Sequence, residues 1–580
     1  MRNPTALTLI AAMTLARALT AQDINPDTIH AGRYDSGKMW TFEYAPSKYF
    51  SQTYGFDASQ QWFEKARLAS LRIPGCSASF VSPNGLIVTN HHCARGGVVQ
   101  VSKPGENLLE DGFVAKTLAD ERKVDGFFAD QLIQIQDVSD EVFAAVDRAA
   151  EADRASARTG VFRTVQQRLK QQYGSAGDSV VVQIISLYAG GRYSAYVFRR
   201  YTDVRLVVAA ELQLGFFGGD ADNFTYPRYD LDFSFLRVYG KDGKPLNSPN
   251  YYTWSQKGVE ENDVVFVIGS PGPTTRMNAV AQLEFIRDVQ LPAQIQAFQS
   301  RWDALNAALR ADPNSPNAPA IRNQMFGLSN TLKASGGRIA ALNDAVIMAK
   351  RRDAEKQFVT ALAAKPDLQS KYNDVLTHLA DVQQRKRQFA SMYSATLLYG
   401  SSNGPAVLRR GAVAYDLLTR TQANAPADTL EAIRRRFLAI SNNLPAVESG
   451  YAVAQYEQLA RYLAANDTVL RVALGGRSAA EAARTLLATS ALGDSAKAAA
   501  ALASNAITMD DPAVRVAAAF APALSAFQRD YSRLIAEENE WNSRLGRARF
   551  DIYGTDIAPD ATLSPRITDG VVKPYEYNGT

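Results

Sequence analysis

His91-His92-Cys93 is the tripeptide best suited to chemistry in this 580-residue chain. An imidazole titrates near neutrality, so it can take a proton and return it within one reaction cycle. The surrounding stretch, 75–94, reads Gly-Cys-Ser-Ala-Ser-Phe-Val-Ser-Pro-Asn-Gly-Leu-Ile-Val-Thr-Asn-His-His-Cys-Ala. Two apolar, β-rich runs, 78–81 and 86–88, flank Ser82-Pro83-Asn84-Gly85. Asn-Gly tolerates the positive φ angles of a tight turn, so the spacing predicts strand, turn and strand, the second strand ending on His91, His92 and Cys93. Cys76 and Cys93, the only two cysteines, stand at the two ends of the hairpin. An antiparallel hairpin brings its ends together, which makes a Cys76–Cys93 disulfide geometrically plausible. Such a cross-link would fix the backbone of the neighbouring histidines. The plainer alternative is a structural hairpin carrying two surface histidines.

The Cys-strand-turn-strand-His-Cys unit resembles the histidine loop of chymotrypsin-like serine peptidases. The fuller string from Gly85 to Cys93 is similar to that of peptidase family S46, bacterial dipeptidyl-peptidases of the 7 and 11 type. Met39-Trp40 and Leu109-Glu110-Asp111-Gly112-Phe113 look like segments of the same family, as does Gly269-Ser270-Pro271-Gly272. So does the lead-in Gly218-Gly219-Asp220-Ala221-Asp222-Asn223, after which a strand begins at Asp232. The resemblance covers about residues 37–580 and is strongest at 75–94 and 218–276.

A serine peptidase needs a hydroxyl nucleophile, a histidine base and a carboxylate that holds the histidine's tautomer. The chymotrypsin-like chain order is His, Asp, Ser. The resemblance assigns the base to His92, which directly precedes the loop cysteine, with His91 a structural neighbour. It assigns the carboxylate to Asp232, with Asp222 and Asp230 as competitors and a strand-edge acid or helix cap as the bland reading. The family's Gly-Asn-Ser-Gly-Ser-Pro-like serine motif is not found. A six-stranded barrel needs roughly 60–100 residues, more than follow the helical block, so the chain is expected to end before the nucleophile and to be inactive alone. Asn223 and Phe224 match a family Asn-Trp pair, and Asn330 matches a second asparagine, all implied to hold the substrate's free α-amino group. Phe224 keeps an aromatic wall but lacks the indole N–H. An amide oxygen accepts from a cationic amine without burying a second charge.

The elements that must position these residues follow from periodicity. Residues 59–71 look helical, 131–136 alternate as a half-buried strand, 140–173 read as helix, and 180–186 and 204–209 as strands. The run 263–268 is nearly continuous in apolar residues and reads as a buried strand. From about 277 to 550 the pattern turns helical: Tyr372, Val375, Leu376 and Leu379 recur at i, i+3, i+4 and i+7, as do Tyr456, Leu459, Ala460 and Leu463. After Tyr553, 564–572 looks like the entry to another β region.

Arg2 and the apolar stretch 7–16 read as a secretory signal over 1–21. Losing Arg2 and Arg17 with it lowers the formal net charge from +4 to +2, which gives no case for nucleic-acid binding. No stretch is long enough to span a bilayer, and paired cysteines in a secreted chain point to the periplasm. The expected organisation is the signal, a first β-barrel part over 22–276, an inserted helical domain over 277–553 and the start of a second barrel over 554–580. The fold class is thus β plus α: a chymotrypsin-like double β-barrel, its second barrel largely missing, with a large inserted all-α domain. The expected function is a serine-type dipeptidyl-peptidase acting on peptides with a free N-terminus and needing no cofactor or metal, since His91-His92 lacks the i, i+4 spacing of a helical zinc site. The resemblance admits a homodimer. An ordinary chymotrypsin-like endopeptidase and a non-catalytic peptide-binding or scaffold protein are the competing readings.

Overall fold

Alternation of side chains along the strands builds the layer that carries the histidines. Leu71 and Ile73, Ala78 and Phe80, and Ile87 all point to one face and are almost fully buried, because successive residues of a strand face opposite sides. In the computed structural model, which describes residues 25–174, 179–218, 223–225 and 227–576, twelve strands are seen among the described residues. They are β1 (Ser70–Ile73), β2 (Cys76–Phe80), β3 (Leu86–Thr89), β4 (Phe113–Val114), β5 (Arg122–Lys123), β6 (Ala129–Asp137), β7 (Ser179–Leu187), β8 (Arg192–Tyr201), β9 (Val204–Ala209), β10 (Ser234–Val238), β11 (Val264–Gly269) and β12 (Arg566–Val571). The first ten form one antiparallel sheet in the order β4-β9-β10-β3-β2-β1-β6-β8-β7, with β5 also on β9. Inward side chains of β1, β2, β3, β9 and β10 meet in one apolar cluster with Ala94 and Val98. The expected signal at 1–21 lies outside the described residues.

Several elements depart from the sequence reading. The second strand of the hairpin stops at Thr89, and His91, His92 and Cys93 open a helix instead, α1 (His91–Val101). The bend after Asn90 lets Ala94 and Val98 enter the core while His92 turns toward β10. The stretch 140–173 is two helices, Ser139–Arg148 and Arg154–Tyr173, parted at Ala149, which is extended. The break folds them against each other so that Val142, Val146, Val165 and Leu169 share one core with Val182 and Val197 of β7 and β8. β8 itself carries little apolar alternation, yet it is the strand flanked along its whole length by β6 and β7.

The run 264–269 is a strand but not a buried one: β11 pairs with β12 in a separate two-stranded sheet, and Val267 stays 68% exposed. Only its other face is covered, where Phe266 packs against Phe50, Phe56 and Trp62 at 4.9–5.2 Å between ring centres. Trp40 exchanges two backbone hydrogen bonds with Ile567 of β12, both 2.9 Å. Below it, the buried Asp569 carboxylate accepts from Lys38 Nζ (2.7 Å), Tyr54 Oη (2.6 Å) and Trp40 Nε1 (2.9 Å). The early aromatic segment thus closes onto the end of the chain.

Between β11 and β12 the described chain is helical from Val280 to Tyr553. The Tyr372–Leu379 pattern spans two helices, Pro366–Tyr372 and Val375–Arg387, whose apolar residues still face one core. Two further helices matter for the site: α2 (Ala318–Asn343) and the 42-residue α3 (Pro512–Tyr553). α3 crosses from the helical block to the β layer, where a Cβ on Gly546 would sit 1.7 Å from the Tyr188 carbonyl oxygen. Only glycine permits that approach. The architecture is mixed α/β. Among the described residues no helix is long and apolar enough to cross a membrane.

Candidate active site

α1 begins without a side-chain cap of its own. Asn90 occupies the N-cap position but makes no capping bond within the helix. Its Nδ2 instead donates to Asp232, to the backbone oxygen and to Oδ2, each at 3.1 Å. The capping anion comes from another segment: Asp232 Oδ1 accepts the His92 backbone N–H at 2.9 Å. A carboxylate at a helix N-terminus satisfies an orphan donor and meets the positive end of the helix dipole. The same carboxylate lies against the His92 ring, with Nδ1 2.8 Å from Oδ2 and 3.0 Å from Oδ1. One acid therefore fixes both the backbone and the ring of His92. Asp232 precedes β10 by two residues, and β10 pairs with β3, which sets these two segments side by side.

Burial works to raise the Asp232 carboxyl, but the bonds from the His92 ring and backbone, with Arg228 nearby, hold it below the usual carboxylate range. It is ionised at neutral pH. With the ring proton on Nδ1, His92 Nε2 is left as the basic nitrogen, and it makes no hydrogen bond among the described residues. The cysteine pair is joined: Cys76 and Cys93 form a disulfide with Cα atoms 6.2 Å apart. The one grouping of metal-ligand type among the described residues is Cys76, His92 and Cys93, whose two sulfurs are bonded to each other.

The neighbouring histidine faces inward. His91 is fully buried, and its Nε2 donates to the Ala210 carbonyl at 3.0 Å. Burial holds it below the ordinary imidazole range and therefore neutral. A Cβ on Gly215 would lie 2.7 Å from the His91 ring, so the loop after β9 can pass over His91 only with glycine there. Of the competing acids, Asp230 accepts from Arg228 Nη2 at 2.6 Å, and Asp222 lies outside the described residues.

The asparagines also meet. Asn223, 3% exposed, donates from Nδ2 to Asn330 Oδ1 at 3.1 Å and accepts from Arg228 Nη1 at 3.2 Å. Asn330 sits on α2, one turn beyond Phe326. That ring packs edge-on against Phe216 at 4.5 Å and lies under the Arg95 guanidinium at 4.9 Å. Phe224 stands apart from this contact: its backbone has φ 66° and its side chain is 62% exposed. Two neighbours were not singled out from the sequence. Phe217 stacks on the His92 ring, 4.0 Å between centres and 16° between planes. The Arg228 guanidinium lies 4.7 Å from the centre of the Phe217 ring. The aromatic doublet Phe216-Phe217 before Gly218 is the signal that could have marked them.

A hairpin-anchored histidine oriented by a strand-edge aspartate, beside a loop asparagine paired with one on a neighbouring helix, is an arrangement of the kind found in peptidases. The family description Peptidase S46 matches residues 34–580. The chain belongs to peptidase family S46. This S46 chain is 32% identical over 336 residues to "Dipeptidyl-peptidase 7" of Capnocytophaga gingivalis, covering 56% of this chain and 46% of that protein. It is 31% identical over 342 residues to "Asp/Glu-specific dipeptidyl-peptidase" of Shewanella putrefaciens, covering 57% and 46%. The chain thus spans about half the length of the curated relatives it matches. Its fold matches crystal structures of DPP11 from Porphyromonas endodontalis. The complex with the dipeptide Arg-Asp gives a TM-score of 0.76 at 22% identity over 93% of this chain and 81% of that one.

Proposed function

We propose that this S46 chain carries the base and orienting acid of a serine-type dipeptidyl-peptidase that releases dipeptides from the free N-termini of peptides in the periplasm. The observation that carries the reading is the Asp232 carboxylate, which holds His92 by ring and backbone at once. In this reading His92 Nε2 takes the proton of a serine hydroxyl as it attacks the scissile carbonyl, then passes it to the leaving amine. Asp232 keeps the proton on Nδ1 and stabilises the imidazolium that forms. In the chymotrypsin-like pair of barrels that the family resemblance implies, the serine would stand on the second barrel.

Asn223 and Asn330 would take the substrate's α-ammonium. Each amide oxygen has two lone pairs, and one internal hydrogen bond uses only one of them. Arg228 adds a positive charge beside this site, and its bond to Asp230 offsets it. Holding the amine at a fixed distance from His92 is what would limit the product to two residues. The membership of family S46 and the dipeptidyl-peptidase names of the relatives support this class over an ordinary endopeptidase.

The test is to compare one peptide with a free and with an acetylated N-terminus. The intact enzyme should cut the free form in two-residue steps, seen by mass spectrometry, and leave the acetylated form at least about a hundredfold slower, since a buried acceptor loses its charged donor. Equal rates, or internal cuts, would replace the reading with the endopeptidase.

A further inference from the structure

Three arginines from three different segments converge on one cavity without a carboxylate partner. The cavity has a volume of about 660 Å³ and lies between residues 31–36, residues 276–278, the helix Ala345–Ala363 and the end of α3. Arg276, Arg351 and Arg549 line it. The hydrogen bonds of each go to backbone carbonyls alone. Arg276 Nη1 donates to Ser36 at 3.5 Å, Arg351 Nη1 to Arg276 at 3.2 Å, and Arg549 Nη1 to Met277. None of the three forms an ion pair among the described residues.

Of the other charges in the wall, the two remaining basic groups are paired, while the Glu355 carboxylate has no cation within ion-pair distance among the described residues and acts on Arg549 only through space. Arg33 pairs with Asp556 at 3.3 Å and Lys350 with Asp35 at 3.2 Å. Glu355 accepts the Val280 N–H at 2.5 Å, and burial holds its carboxyl above the usual range. Asp560, behind the wall, is taken by Thr274 and by the backbone N–H groups of Arg276 and Met277. The balance facing the cavity is positive. Burial also holds Arg351 and Arg549 below the ordinary guanidinium range, which reflects cations half-removed from water. Such groups are costly unless an anion meets them. The rest of the wall is mixed: Met277, Ile347 and Phe358 give it an apolar part, beside the polar Ser36, Asn278, Gln357 and Tyr553.

We infer that this cavity binds a carboxylate borne on an apolar body, its head on the guanidinium groups of Arg276, Arg351 and Arg549 and its body against Met277, Ile347 and Phe358. A guanidinium offers two parallel N–H donors that match the two oxygens of a carboxylate. The site is separate from His92: none of His92, Asp232, Asn223 or Asn330 lines it. Its nearest link is Ala341, on α2 and about 16 Å along the helix axis from Asn330 at 1.5 Å per residue. A fatty acid and a peptide C-terminus ending in an apolar residue share this chemistry.

The experiment uses the whole unmodified chain. Phenylglyoxal modifies exposed arginines, and peptide mapping by mass spectrometry reads each site. Octanoate represents the fatty acid and N-acetyl-leucine the peptide terminus, with octanamide and inorganic phosphate as controls. The expected result is that at least one carboxylate slows modification of Arg276 and Arg351 about fivefold or more while both controls do not, in line with a charge-assisted bidentate contact. Protection by octanoate alone identifies an acyl ligand, and by N-acetyl-leucine alone a peptide C-terminus. Protection by neither, or equal protection by octanamide or by phosphate, overturns the inference. In calorimetry, Arg351→Gln should weaken binding of the protecting carboxylate about tenfold. Unchanged affinity in a folded Arg351→Gln protein overturns it as well, and if that variant does not fold the protection pattern of the unmodified chain decides.

Discussion

Asp232→Asn keeps the shape of the side chain and removes its charge, so it isolates what the carboxylate does for His92. Three donors converge on its two oxygens: the His92 N–H at 2.9 Å, the His92 ring Nδ1 at 2.8 Å and Asn90 Nδ2 at 3.1 Å. An amide offers one oxygen, so in either orientation its NH₂ group faces a donor. If the amide oxygen keeps the backbone N–H, its NH₂ points at the ring nitrogen. The ring escapes that clash by moving its proton to Nε2, which makes Nδ1 an acceptor and blocks the nitrogen that must take the proton. Loss of the correct tautomer lowers kcat by up to ~10⁴, which is about 5.4 kcal/mol of barrier at about 1.36 kcal/mol per tenfold. KM should change little, since Asp232 makes no hydrogen bond to Asn223 or Asn330 among the described residues. Nitrogen-15 spectra of the histidine rings read the tautomer directly: Nδ1–H for the native chain and Nε2–H for Asp232→Asn. Native turnover in a folded Asp232→Asn enzyme, or an unchanged Nδ1–H tautomer, would refute the assigned role.

Two predictions concern what holds this part of the fold together. Replacing both Cys76 and Cys93 by serine should destabilise the hairpin region by about 3 kcal/mol, the chain-entropy value for closing a loop of this length, read as faster amide exchange in β2 and β3; unaltered exchange would contradict it. Asp569→Asn should cost roughly 3 kcal/mol, the low end for breaking a buried pair because Lys38 keeps 26% exposure, read as earlier urea unfolding. Burial raises the Asp569 carboxyl, but its bonds to Lys38, Tyr54 and Trp40 outweigh this and hold it below the usual range. Its contribution is therefore complete above about pH 4 and lost as pH falls through the depressed value, so acid should weaken the native protein more than Asp569→Asn.

Local pattern sufficed where one residue type dictates the backbone. Asn84-Gly85 marked the hairpin turn, and the acid before an apolar run placed the start of β10 within two residues, at Asp232 where the strand begins at Ser234. It failed where the deciding contact is distant. The helix at His91 has a residue of capping type in Asn90, but that side chain makes no capping bond, and the anion at the helix start is Asp232, 140 residues away. β8 carries arginines and tyrosines that belong in a sheet only once β6 and β7 flank both its edges. The apolar run at β11 looks buried because its composition cannot show that one of its faces leaves Val267 68% exposed. Asn223 and Asn330 are singled out in the sequence only by the family resemblance and Arg228 not at all, and the folded chain is what sets Asn223 between the other two.

Labelling of the intact enzyme with a fluorophosphonate, which bonds only to an activated serine, tests most directly the claim that His92 serves a serine hydroxyl. The account predicts one labelled serine, located by mass spectrometry, with labelling lost in His92→Ala and slowed in Asp232→Asn. Undiminished labelling in His92→Ala, or dipeptide release by an enzyme that takes up no label, would contradict it.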